Sequence, residues 1–249
     1  MNTATLKFGK LAAKQDSRAI PLRAIMRAKA IKVPTEWNVD DAHPGAGPRM
    51  FANDQYGCCV IATRAAQTLR FELAETGKLP TITDNQVVKE YMRQTGGADS
   101  GLVMLDSLNY WRRVGWRPGL RIHKIQAFAT LDPTNPIDFK LAIYGDLGCE
   151  IGVALPKSAM RELQAGKPWT QTKGPGSAWG SLGGHAIYAK GYNRDGLILE
   201  TWGMEQFASF EWIKKYCDEG YAVIDAINTK RKRLLFDAGL IRTMLARAA

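Results

Sequence analysis

The stretch Asn53-Asp54-Gln55-Tyr56-Gly57-Cys58-Cys59-Val60-Ile61-Ala62-Thr63-Arg64-Ala65-Ala66-Gln67 decides how this chain is read. Asn53, Asp54 and Gly57 are turn residues. From Cys59 onward Ile61, Ala62, Ala65, Ala66, Leu69 and Leu73 recur at helical spacing as far as Gly77, a residue suited to end a helix. Cys59 therefore falls in the first turn of a buried helix, where the helix dipole and free backbone N–H groups stabilise a thiolate. The competing reading is that Cys58 and Cys59 are small buried hydrophobes, the usual state of an intracellular cysteine.

Downstream, Gly183 to Tyr192 reads as a strand holding His185, and Gly196 to Gly203 as the next, holding Glu200 and Trp202. Asn-Arg-Asp-Gly turn chemistry between them predicts a hairpin. Such a hairpin can set His185 near Glu200, pairing a general base with a group that orients its second nitrogen. Two registers are open. Pairing 185 with 200 centres the turn on Tyr192-Asn193, whereas a tight turn at Arg194-Asp195 puts His185 opposite Met204.

Composition narrows the chemistry. The 249 residues are 45% hydrophobic and 23% charged, enough for a sizeable core and unlike a disordered or collagenous chain. No apolar run approaches the ~20 residues of a membrane span, and the basic N-terminus lacks a leader-like apolar region, so a protein kept in a reducing cytoplasm is expected. Cys58, Cys59, Cys149 and Cys217 are too sparse for a disulfide scaffold and lack zinc-ligand spacing. With no HExxH, GxSxG or GxxxxGK[ST], neither metal nor cofactor is expected, and any catalysis falls to a thiol.

The net charge of +10 sits at the ends. Residues 1–32 hold eight basic and one acidic residue, residues 229–249 six and one, and residues 33–228 are nearly neutral. The chain thus divides into a basic arm (1–50), a body (51–228) and a basic tail (229–249). The proline-rich arm holds one short helical candidate, Leu22 to Ile31, and is expected to run along a surface. In the tail Leu234, Leu235, Ala238, Ile241, Met244 and Leu245 form an amphipathic stripe. It can dock on its own protein or, with residues 1–32, on a virion or other assembly. Nucleic acid is not expected as a specific partner.

The order of these motifs resembles the papain-like cysteine peptidase superfamily: Gly57-Cys58-Cys59 at the nucleophile, Gly184-His185-Ala186 at the base, and Glu200-Thr201-Trp202-Gly203 where the family has Asn-Ser-Trp-Gly. Between them, Pro136 to Pro156 resembles the family's helix and strand preceding the histidine. The resemblance covers roughly residues 50–228. It implies an α+β fold, with a helical half carrying Cys59 and an antiparallel β half carrying His185. It also implies a Cys59-His185-Glu200 triad acting on a polypeptide, cleaving peptide or isopeptide bonds, with Trp202 shielding the histidine from water. The family's oxyanion-hole glutamine is replaced by Asn53, with Gln55 as its rival. The wording around Asn53 to Cys59, Leu6-Lys7-Phe8-Gly9-Lys10-Leu11 and the Tyr-Cys-Asp-Glu-Gly-Tyr ending is similar to papain-fold proteins of phages and prophages, which implies a host-cytoplasmic or virion-associated product. A non-catalytic virion component and a peptidoglycan-cleaving thiol hydrolase stand as alternatives.

Overall fold

The computed structural model describes residues 6–17, 19–27, 32–119, 121–225 and 230–247. Pro21 leads into a one-turn helix, α1 (Leu22–Ile25), whose Leu22 and Ile25 are buried. The helix expected to reach Ile31 stops there because Met26 is extended and bridges Phe236; residues 28–31 lie outside the described residues. Strand β1 (Trp37–Asn38) and helix α2 (Val39–Ala42) follow, the Asn38 side chain accepting the Asp40 N–H at 3.0 Å.

The helical half comprises α3 (Cys59–Thr76), α4 (Asp84–Thr95) and α5 (Met104–Arg113). Helix α3 ends as its sequence indicates: Gly77 is left-handed at φ 68° and donates to the Leu73 carbonyl at 2.9 Å. Thr83 and Gln86 form a reciprocal capping box at the start of α4.

The remaining elements build the β half. In chain order they are β2 (Ala127–Thr130), α6 (Pro136–Asp146), β3 (Cys149–Leu155), α7 (Lys157–Gln164), β4 (Gly183–Tyr192), β5 (Gly196–Thr201), β6 (Met204–Ser209), α8 (Phe210–Tyr216), β7 (Cys217–Ile224), α9 (Lys230–Leu235) and α10 (Ala238–Arg247). The strands form one antiparallel sheet in the order β2-β7-β3-β4-β5-β6, with β1 on the far end of β4. Strand β3 is buried throughout, as a central strand covered on both faces must be. The arm belongs to the body: besides β1, its Leu6, Leu22, Ile25 and Val39 are buried. The tail breaks at Phe236-Asp237 into two helices, with Leu235, Phe236 and Ile241 buried on the chain's own body and Leu234 59% exposed. The side chain of Leu245 lies outside the described residues.

The β4–β5 hairpin decides what faces the histidine. Asn193 organises the turn, its side chain accepting the N–H groups of Asp195 and Gly196, and Tyr192 pairs with Leu197. That is the tight turn at Arg194-Asp195. Lys190 is then an extra residue in β4, a bulge that shifts the register so that Glu200 pairs with Tyr188.

Helix α3 is buried on nearly every side, including Arg64, Gln67 and Arg70. Buried guanidinium groups require partners. Arg70 pairs with Asp40 through two contacts of 2.8 and 2.9 Å and with Glu200 at 2.6 Å, and lies over the Tyr188 ring. Lys190 closes the cluster on Asp40 (2.6 Å) and Glu205 (2.8 Å). One arginine thereby joins α2, α3 and β5. Arg70→Met should lower unfolding stability by about 3–5 kcal/mol, because it strands the buried Glu200 carboxylate. A urea titration followed by tryptophan fluorescence should show the corresponding fall in midpoint.

Candidate functional site

Cys59 is the first residue of α3 and is 1% exposed. Its sulfur is met by backbone N–H groups: that of Ala186, at 3.5 Å, and those of Gly9 and Val60. Burial pushes the Cys59 thiol up, while these N–H groups and the Lys10 charge pull it back toward the anion. Cys58 points elsewhere. Its thiol, also pushed up by burial, contacts the Phe51 carbonyl at 3.4 Å.

His185, at the start of β4 and also 1% exposed, lines the same cavity as Cys59. Its Nε2 lies 2.7 Å from the Thr201 hydroxyl, and its Nδ1 has no hydrogen-bond partner. The expected orienting contact from Glu200 is therefore replaced by Thr201. Glu200 pairs with Arg70 and accepts the Arg49 N–H at 3.2 Å. The cause is the Lys190 bulge. Without it the Tyr192–Leu197 register would carry Glu200 opposite Ala189, on the His185 face; with it Glu200 turns to the α3 side and Thr201 takes its place.

Trp202 stacks on the His185 ring, centroids 4.0 Å apart and planes 12° from parallel. It holds this position from the two-residue β5–β6 turn, in which Trp202 (φ 47°) and Gly203 (φ 71°) both have positive φ. A tryptophan in that conformation costs about 1–2 kcal/mol. The strain is located where the ring covers the histidine. Of the two oxyanion candidates, Asn53 lines the cavity and Gln55 is exposed on the surface. The Asn53 amide donates to the carbonyls of Tyr56 (3.0 Å) and Lys7 (3.4 Å).

The last contact belongs to a feature that sequence reasoning missed. Residues 7–11 cross the cleft as a strap. Lys7 N–H bonds to the Asn53 carbonyl (3.0 Å), Lys10 N–H to Gly184 (3.2 Å) and Leu11 N–H to Leu102 (2.9 Å). The Gly9 carbonyl accepts the Leu102 N–H (2.8 Å), and the Trp202 indole donates to the Lys7 carbonyl (3.2 Å). Phe8 packs edge-on to both His185 and Trp202. At Gly9 a Cβ would come within 1.6 Å of the Gly57 carbonyl oxygen, so only glycine passes over the helix start. Beside Cys59 and His185 a cavity of about 20 Å³ remains, room for about one water. Burial accordingly pushes the His185 pKa down to about 3, so histidine and thiol are both neutral while the strap is seated. The glycine in Lys7-Phe8-Gly9-Lys10 was the one legible sign of close backbone approach.

Among the described residues no cluster of three or more His, Cys, Asp or Glu side chains could hold a metal ion, and no helix is long and apolar enough to cross a membrane.

No protein-family model and no curated protein sequence matches the chain. Solved structures do. Xylellain, a cysteine protease from Xylella fastidiosa, superposes with a TM-score of 0.66 at 14% identity, covering 89% of this chain and 97% of that one. The ragweed pollen cysteine protease Amb a 11, in its proform, gives 0.61 at 13% identity, covering 84% and 71%. A Carica candamarcensis cysteine protease gives 0.57 at 16% identity, covering 78% and 99%. The fold is that of the papain-like cysteine proteases.

Two outcomes follow from the strap. Gly9→Val cannot seat against Gly57 and should raise the rate of Cys59 alkylation by iodoacetamide at least about tenfold, read by peptide mass mapping, with Cys58 unlabelled. Opening also depends on pH. Burial keeps His185 below its ordinary 6.5 and Cys59 above its ordinary 9.0, so the open state binds a proton more readily at His185 and releases one more readily at Cys59. Acid below about pH 6.5 therefore favours opening, as does alkali near the ordinary thiol pKa. Exchange of the Lys10 and Leu11 amide hydrogens, corrected for intrinsic rate, should be slowest between these limits and should accelerate as pH falls from about 6.5.

Proposed function

We propose that the protein is a thiol hydrolase of peptide or isopeptide bonds, with Cys59 as nucleophile and His185 as base, and that the strapped form is its latent state. The observation that carries this reading is the convergence on one cavity of a thiol at a helix start and a histidine held at its far nitrogen by Thr201 and over its face by Trp202. The fold shared with proteins described as cysteine proteases supports it.

In the reaction so read, the strap leaves and both groups regain solvent. The His185 Nδ1 takes the Cys59 proton, and the Nε2–H then donates to the Thr201 hydroxyl. The thiolate adds to the substrate carbonyl carbon. The oxyanion is met by the Cys59 backbone N–H and the Asn53 amide, once the latter is released from the Lys7 carbonyl. Collapse of the adduct transfers the Nδ1 proton to the leaving amine and leaves a thioester. Water, deprotonated by His185, hydrolyses it and restores the thiol. Glu200 transfers no proton in this scheme; it fixes β5, and with it Thr201, through Arg70.

A peptide library offered to the Gly9→Val protein tests the reading. Cleavage should be abolished by Cys59→Ala. Asn53→Ala should lower kcat/KM by about 10²–10³. Thr201→Val should lower kcat by about 10² through a misplaced imidazole, whereas Glu200→Gln should lower stability more than turnover. No cleavage of peptides or of cell-wall peptides, together with a Cys59 that iodoacetamide fails to label, would make the cleft a binding groove and the protein a scaffold.

A further inference from the structure

The Lys10 side chain leaves the strap and enters a pocket of unusual make. It is almost wholly buried, and its ammonium lies 2.8 Å from Asp218 and 3.0 Å from Glu219, two consecutive residues of β7. The floor is Gly152, paired across the sheet with Ala186 and Glu219; a Cβ there would lie 2.1 Å from Lys10 Cε. The pocket thus exists because β3 carries no side chain at that point. Tyr221 donates to Glu219 at 2.7 Å and fixes its carboxylate. Burial pulls the Lys10 ammonium down, but Glu219 and Asp218 more than offset it and keep it charged. Beyond the carboxylates a cavity of about 740 Å³ opens, lined by Asp218, Glu219, Tyr221, Leu131 and Pro133.

A pair of carboxylates costs free energy to bury beside the sheet, and that cost is met only when a cation fills the pocket. When the strap leaves, the pocket is left facing the cleft one residue from His185, since the Lys10 backbone is bonded to Gly184. We propose that this pocket is the specificity site of the cleft, that it selects polypeptide substrates carrying a lysine side chain, and that Lys10 occupies it in place of substrate. This rests on the hydrolase reading above. The pocket takes a long, unbranched, positively charged side chain: the open floor admits the methylene stem and the carboxylates require the charge.

The test uses the full chain carrying Gly9→Val and, as a second way of unseating the strap, Lys10→Glu. Tripeptide vinyl sulfones with lysine at each position in turn are compared with their norleucine counterparts, which match lysine in length and lack its charge. Labelling of Cys59 is followed by mass spectrometry, with iodoacetamide as a reagent that needs no subsite. At one position the lysine probe should react at least about tenfold faster than the norleucine probe. Glu219→Gln should bring that ratio toward one; Asp218→Asn serves if the first variant does not fold. Equal rates for lysine and norleucine at every position, in a chain that iodoacetamide labels, overturn the proposal and leave the hydrolase reading standing. Labelling by iodoacetamide but by no peptide probe, or by neither reagent, overturns both.

Discussion

The buried ion cluster around Arg70 is the constraint on which the site depends. Helix α3 has to lie in the interior for Cys59 to face β4, and an interior helix with arginines in it must find carboxylates. For Arg70, Asp40 and Glu200 supply them from α2 and β5, and Lys190 ties Asp40 to Glu205; Arg64 faces Glu90 at 3.7 Å. Removing one member of such a group costs more than the group contributes as a whole, since what remains is an unpaired buried charge. The cluster therefore fixes the distance between the helix carrying the thiol and the strands carrying His185 and Thr201. It also commits Glu200 to a structural partner.

The strap uses the same surfaces differently. Its backbone–backbone hydrogen bonds reach both sides of the cleft, Asn53 and Leu102 on one and Gly184 on the other, and its Lys7 carbonyl accepts from the Trp202 indole and the Asn53 amide. Each contributes roughly 0.5–1.5 kcal/mol net, and ordering the strap costs about 1–2 kcal/mol per residue. Two contacts raise it above a generic backbone match: Phe8 against His185 and Trp202, and Lys10 in its carboxylate pocket. Closure is thus balanced by terms of similar size. The price of the closed state is a thiol and an imidazole both held in their neutral forms.

The strain at Trp202 belongs to this economy of positions. A bulky residue at positive φ in a two-residue turn is tolerated because the turn delivers the indole flat onto the imidazole and its N–H onto the strap. A glycine or asparagine would relax the turn and uncover the histidine.

Much of this was legible in the sequence. The apolar spacing after Cys59 and the glycine at 77 set α3 to its observed ends, because capping and helical periodicity are local. The order Cys59, His185, Trp202 pointed to the fold for the same reason, each motif being a short segment with its own turn chemistry. What the residues alone left open was which neighbour meets which. Glu200 and Thr201 sit side by side on β5 and face opposite sides of the sheet, so a single extra residue in β4 exchanges them, and no local pattern marks Lys190 as that residue. Gln55 and Asn53 differ by two positions in a loop whose aim depends on packing. Residues 7–11 read as part of a basic arm running along a surface because charge was counted along the chain, whereas Lys10 is neutralised by carboxylates more than 200 residues away. Local periodicity determined the elements; register, loop aim and charge pairing, which sum contacts between distant segments, were decided only when the sheet and α3 closed on one another.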